Sequence, residues 1–247
     1  MRKTRCAAAT AAVLPVLLLA AACSGNSSDA DGNAKTGTAK PSASTTPPGK
    51  VPLTKAQLTS ALITTADVPG WTVQVSQTTA TDSQDDSTLT ADKPQCQPLA
   101  DITSSKPKIP RMAFVGAAFA KTTGQTNPDQ IDQMLVASQA PGDAQKVIDS
   151  VKAALGTCTS FSAVDNTGTK TPFAITKGPA VATGDASASY VMTDTADKKT
   201  GAALVTVVKT GDTITAYLSV KAAGGPGQLP LDVARKQSDK LKAAQAK

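Results

Sequence analysis

The chain has 247 residues, with 25 lysines and arginines, 19 aspartates and glutamates, no histidine, and only 3% aromatic residues. The absence of histidine excludes His-based general bases, Ser-His-Asp triads and the commonest zinc ligand. The formal net charge of +6 falls to +3 once the three cations at the extreme N-terminus are set aside, and with so few rings no basic groove lined by stacking aromatics can be assembled. Nucleic acid is therefore not expected as a partner.

In chain order, Arg2, Lys3 and Arg5 form a cationic start, Ala7 to Leu19 an apolar run, and Ala20-Ala21-Ala22 a small-residue cleavage site ahead of Cys23. This is the pattern of an export signal over residues 1–22. The run is too short for a membrane span, which needs about 20 apolar residues to cross roughly 30 Å of hydrocarbon, and Pro15 would bend it. The segment resembles the lipobox of bacterial lipoproteins, which implies that Cys23 becomes an N-terminus carrying a diacylglyceryl anchor. The lipobox pattern favours leucine where Ala20 stands. Ala20-x-Ala22 also satisfies ordinary secretory cleavage, so a secreted soluble form is the alternative.

Residues 24 to 50, SGNSSDADGNAKTGTAKPSASTTPPGK, contain no large apolar side chain other than the prolines. Such a segment cannot bury a core, and residues 23–50 read as a lipidated N-terminus followed by a disordered tether. A flexible chain of that length has an end-to-end distance of about 30 Å. The remaining residues, 51–247, have the composition and length of one domain.

Cys6 lies within the signal, and acylation would occupy Cys23, so Cys96 and Cys158 are the two thiols left to an exported domain. They are expected to form a structural disulfide. Closing so long a loop stabilises a fold by about 4 kcal/mol in the chain-entropy view.

Thr54 with Gln57 makes a capping box, and Leu53 with Leu58 a hydrophobic staple, so a helix is predicted to begin at Lys55 and to end before Val68-Pro69-Gly70. Trp71 to Val75 alternates as a strand. The polar stretch from residue 76 to 95 includes Asp82, Asp85 and Asp86 but lacks the glycine and distal glutamate of a calcium loop, so no metal site is expected. Ala113 to Lys121 and Met134 to Gln139 read as neighbouring strands, joined through the turn residues Gly124 and Asn127-Pro128. Asp143 is the expected N-cap of a helix with apolar positions at Ala144, Val147, Ile148, Val151 and Leu155, closed by Gly156. Strands follow at Thr171 to Thr176, Ala186 to Thr193, Ala202 to Lys209 and Thr213 to Lys221, the last two linked by a Gly211-Asp212 hairpin of type II′. Pro230 starts a final helix with Leu231, Ala234, Ser238 and Leu241 on one face. Helices separated by runs of adjacent strands indicate an α+β domain, a mostly antiparallel sheet flanked by helices.

The opening LTKAQLTSALITTADVPGWTV resembles the start of the extracellular sensor domains of actinobacterial Ser/Thr kinases of the PknH type and of related free-standing lipoproteins. The later order is similar too: a cysteine at 96, paired strands, Leu155 to Cys158 followed by Phe161, Gly184-Asp185 ahead of a strand, a Gly-Asp hairpin and a closing helix. The resemblance covers most of residues 52–244. It implies an antiparallel sheet flanked by helices around a cleft for an unidentified ligand. Family members often carry more than one disulfide, whereas this chain can form one. It shows neither a kinase domain nor a spanning helix, so direct signalling across the membrane is not expected of it.

Ser105 with Lys108, Asp165-Asn166 after Val164, and Lys209-Thr210-Gly211 stand in the chain order of S-x-x-K acyl-transfer enzymes, though the second is one residue short of its motif. Pro107 and Pro110 leave little room for the helix that would aim such a serine, so acyl transfer is the remote alternative. The leading expectation is a non-catalytic sensor or ligand-binding module, membrane-anchored on the extracytoplasmic face and without a cofactor. Its ligand would be a small molecule, a cell-wall fragment or an envelope protein. The runner-up is a lipid or glycolipid carrier, which requires a large closed apolar cavity, whereas a sensor requires an open cleft with mixed polar walls. Trp71 is the candidate ligand contact, its alternative role being a core anchor beside the first helix.

Overall fold

Thr54 caps the first helix, α1 (Lys55–Ala61), with both arms of the predicted capping box in place: Gln57 N–H donates to Thr54 Oγ1, and Thr54 N–H donates to Gln57 Oε1 at 2.8 Å. The computed structural model describes residues 51–76, 88–121, 128–197 and 201–247. The export signal, Cys23, the tether to residue 50, the acidic segment with Asp82, Asp85 and Asp86, and the turn residues Gly124 and Asn127 lie outside these.

Among the described residues nine strands form one sheet, every neighbouring pair antiparallel. They are β1 (Trp71–Val75), β2 (Thr90–Ala91), β3 (Ala113–Lys121), β4 (Gln130–Ser138), β5 (Ser160–Val164), β6 (Lys170–Lys177), β7 (Ala186–Asp194), β8 (Ala202–Thr210) and β9 (Thr213–Lys221), in the spatial order β1-β3-β4-β9-β8-β7-β6-β5-β2. Three further helices accompany α1: α2 (Gln97–Asp101), α3 (Asp143–Thr157) and α4 (Leu231–Gln245). The α+β architecture with a mostly antiparallel sheet is as expected.

Strand alternation divides the core between the two faces of the sheet. One cluster joins Leu99 of α2 and Ile148 and Val151 of α3 to Phe161, Ile175, Tyr190, Val205, Val207 and Ile214. The other joins Leu58 of α1 and Val233 and Leu241 of α4 to Val115, Phe119, Met134, Val136, Val208 and Tyr217. Register confirms the opposition: Val207 faces α3, while its neighbour Val208 faces the α1–α4 side. The two helix pairs are staggered, α2 and α3 lying over β5 to β9 and α1 and α4 lying over β1, β3, β4, β9 and β8. The central strand β8 is covered on both sides, which explains its near-continuous apolar run Ala-Ala-Leu-Val-Thr-Val-Val.

Specific polar contacts fix the helices. Cys96 and Cys158 are joined in a disulfide that ties the start of α2 to the end of α3. Tyr190 Oη donates to the Leu99 carbonyl at 3.1 Å. On the other face the fully buried Gln237 side chain closes the end of α1, accepting from Ile63 N–H at 2.9 Å and donating to the Ala61 carbonyl at 3.0 Å. Trp71 lies edge-on to Phe119, ring centroids 5.8 Å apart, and its Nε1 donates to Asp232 of α4 at 3.2 Å.

Several sequence expectations need correction. Gly142, at φ 82°, caps α3, and Asp143 is its first helical residue, where its carboxylate favours the positive end of the helix dipole and pairs with Lys146 at 2.8 Å. Gly156 does not close α3, which runs to Thr157. The fourth strand starts at Gln130 rather than Met134, since its outer half is paired along β9 despite its polar residues. In α4 the expected Ala234, Ser238 and Leu241 are buried, joined by Val233 and Gln237, but Leu231 falls off the stripe, 42% exposed. The strands β2 and β5 and the helix α2 were not expected. The hairpin at Gly211 is present, with φ 56° at that glycine. Gly184, at φ 68°, lies against the Lys209 carbonyl and Val208, where a Cβ would collide.

Asp67 is held well below the usual carboxylate range, at about 2, chiefly by the Lys240 ammonium at 2.6 Å and also by Thr64 N–H, against an opposing effect of burial. A depressed folded-state value stabilises above the unfolded pKa and is lost as pH falls through the folded one. Asp67→Asn should therefore cost on the order of 1 kcal/mol at pH 7, with the difference from the parent vanishing between about pH 4 and pH 2 in denaturant titrations. Trp71→Ala should lower stability by about 2 kcal/mol in the same measurement, since it empties the space beside Phe119 and releases Asp232. An unchanged midpoint would contradict its anchoring role.

Candidate functional site

Because the helix pairs are staggered, no helix of the described residues covers the α2–α3 face of the sheet over β3 and β4. An open cleft of about 570 Å³ lies there. Its floor is built by alternation: the outward residues of β3 on this face are Phe114, Gly116 and Ala118, which sit opposite Ala137, Leu135 and Gln133 of β4. Leu135, Ala216 and Leu218 continue the floor across β9. Glycine and alanine at 116 and 118 keep the centre low, and Phe114 and Leu135 are only half-buried. One wall is the turn Ile102 to Ser105 that follows α2.

Arg111 stands at the junction of floor and wall. Its Nη1 donates to the Ser104 carbonyl at 2.8 Å and its Nη2 to the carbonyls of Asp101 and Ile102 at 3.1 Å each, closing the end of α2. The guanidinium carbon lies 5.9 Å from the centroid of the Phe114 ring. Burial lowers its pKa to about 10, with the charge of Asp101 opposing, so it remains a cation at neutral pH. It is the one charged side chain among the described residues lining the cleft. On the same wall Ser105 Oγ is buried without a hydrogen-bond partner, while the neighbouring Ser104 hydroxyl accepts from Leu89 and Lys106 N–H.

A second cavity, about 40 Å³, lies beneath α2 and α3 and shares Ile102, Arg111, Leu135 and Ala216 with the cleft. That is room for about two waters. Gln139, 2% exposed, lines it, and its Oε1 has no partner.

The residues singled out from the sequence lie elsewhere. Trp71 is on the opposite face of the sheet, against Phe119. The S-x-x-K constellation is not assembled. Ser105 to Lys108 form a turn rather than a helix, and Asp165 closes its own turn between β5 and β6 by accepting from Thr167 and Thr169 N–H. Lys209 pairs with Asp185 at 3.8 Å. Among the described residues no group of three or more His, Cys, Asp or Glu side chains could hold a metal ion. The residues that build the cleft were missed, although the small outward positions of residues 113–121 are a signal that could have pointed to it.

No curated protein matches the chain. Among solved structures, the crystal structure of the extracellular domain of PknH from Mycobacterium tuberculosis is similar at 12% identity, covering 81% of this chain and 100% of that one, with a TM-score of 0.49. An X-ray structure of an uncharacterized protein from Mycobacterium smegmatis, an Rv0999 ortholog, is similar at 13% identity, covering 77% and 93%, with a TM-score of 0.28. The family model described as PknH-like extracellular domain matches residues 53–240, which spans the sheet, α1 to α3 and the first ten residues of α4. The chain belongs to the family of PknH-like extracellular domains.

Proposed function

We propose that this protein is a non-catalytic sensor or ligand-binding module on the extracytoplasmic face of the membrane, anchored through a diacylglyceryl group on Cys23. Its cleft over β3 and β4 would be the recognition site. The observation that carries the reading is the cleft itself, which is open, floored by half-buried apolar side chains and bordered by polar groups without partners. This is the shape required of a sensor. A lipid carrier would need a closed apolar cavity, and the second cavity, at about 40 Å³, is far too small for one. The extracellular character of the family supports the location, and the signal-like first 22 residues support the anchor. Ligands of the expected classes, a small molecule, a cell-wall fragment or a segment of an envelope protein, would all dock against the same floor.

Two measurements test this. In a fragment screen read by amide chemical shifts, perturbations should cluster on Phe114, Leu135 and Leu218, and Ala118→Trp, which fills the cleft centre, should abolish them. Perturbations elsewhere, or an indifferent variant, would remove the cleft as the site. Metabolic labelling with a clickable fatty acid should mark the parent and not Cys23→Ala, and a label surviving that change would refute the anchor.

A further inference from the structure

We infer that the ligand of this cleft is a single-chain amphipathic carboxylate, with its hydrocarbon body on the Phe114, Leu135 and Leu218 floor and its anionic end at Arg111 beside Ser105. This rests on the cleft reading above and adds the chemistry of what fills it.

Three independent features agree. The first is charge: Arg111 is the one charged side chain among the described lining residues, and no carboxylate of the described residues forms an ion pair with it. Its hydrogen-bond partners are three backbone carbonyls, and the Asp101 carboxylate acts on it through space without pairing with it. A largely desolvated cation in that setting favours an anion over a neutral or cationic group.

The second is donor count. A guanidinium has five N–H groups, and three are engaged in closing α2, which leaves two. Those left are Nε–H and one Nη1–H, which diverge, so one of them with the unpartnered Ser105 hydroxyl would offer a donor to each oxygen of a carboxylate. A phosphate, with more oxygens and charge, would call for further cations, and the described lining has none.

The third is the floor. It is apolar over a length set by two strands, with small residues at its centre and half-buried large ones on either side, so an extended chain can lie on it while removing apolar surface from water. The volume of about 570 Å³ falls within the range of roughly 300–1,000 Å³ usual for one small ligand. The small cavity behind Arg111, lined by the buried and unpartnered Gln139 Oε1, can hold water that solvates the head group.

The test uses the full chain and three probes of equal length below their micellar concentrations: dodecanoate, dodecanol and dodecylammonium. Affinities are read by displacement of a fluorescent fatty-acid analogue. Dodecanoate should bind about ten-fold or more tightly than dodecanol, as a charge-assisted contact implies, and dodecylammonium should bind most weakly. Arg111→Gln should erase the preference. Because that change also disturbs the end of α2, Thr103→Asp provides the second variant. Thr103 is exposed on the same wall, and a carboxylate there should reduce dodecanoate affinity while leaving dodecanol unchanged.

If dodecanol or dodecylammonium binds as tightly as dodecanoate, or Thr103→Asp leaves the ranking untouched, the carboxylate inference is overturned. The cleft reading survives that result provided Ala118→Trp still blocks all three probes. If the probes bind and Ala118→Trp does not affect them, the cleft reading is what fails. No binding by any probe, with fragment shifts still mapping to the floor, overturns the ligand class alone.

Discussion

The candidate site depends on how a five-residue helix is held. A helix as short as α2 has no independent stability, because the cost of nucleation is not recovered in so few hydrogen bonds. Here it is clamped at three points. The disulfide ties its start to the end of α3, Tyr190 donates to its Leu99 carbonyl from the sheet, and Arg111 gathers the carbonyls at its far end. The turn that follows is the cleft wall. The same bonds that make α2 possible therefore set the distance between wall and floor, and Arg111 belongs to both the fold and the site.

The cleft exists because the helix pairs are out of step across the sheet. Had α3 lain over β4, its apolar face would have filled the space above Leu135 and Phe114. Instead α2 and α3 cover the half that ends in β5 and β2, while α1 and α4 take the other face over β1, β3 and β4. Among the described residues the two helical layers do not cover the nine-stranded sheet completely, and the part they leave carries apolar residues of mostly small size. Two of the buried polar atoms without partners, Ser105 Oγ and Gln139 Oε1, lie at this border, while others, among them Thr206 Oγ1 and Tyr217 Oη, lie on the α1–α4 side.

Legibility followed the range of the interactions. The capping box at Thr54 and Gln57, the hairpin at Gly211 and the β3 strand were readable because their determinants lie within a few residues of one another. The two-residue β2 is a strand only because it pairs with β5, and β5 alternates Phe161 and Ala163 with serines, too faint a pattern to stand out. Within α2, Pro98 reads as a loop residue, although at the start of a helix it is tolerated. Trp71 drew attention as the largest ring in the chain, but strand parity puts it on the α1–α4 face with Phe119. Arg111 gave no signal at all, since one arginine between a proline and a methionine is unremarkable until three carbonyls converge on it.

The sequence alone determined the class of the domain, the pairing of Cys96 with Cys158 and the family resemblance, because hydrophobic period, cap chemistry and residue inventory are local or additive properties. Only the tertiary structure decided where a ligand could go. Which strands lie side by side, which face each helix pair takes and which buried atoms lack partners are relations between segments tens of residues apart, and they emerge only when the sheet assembles.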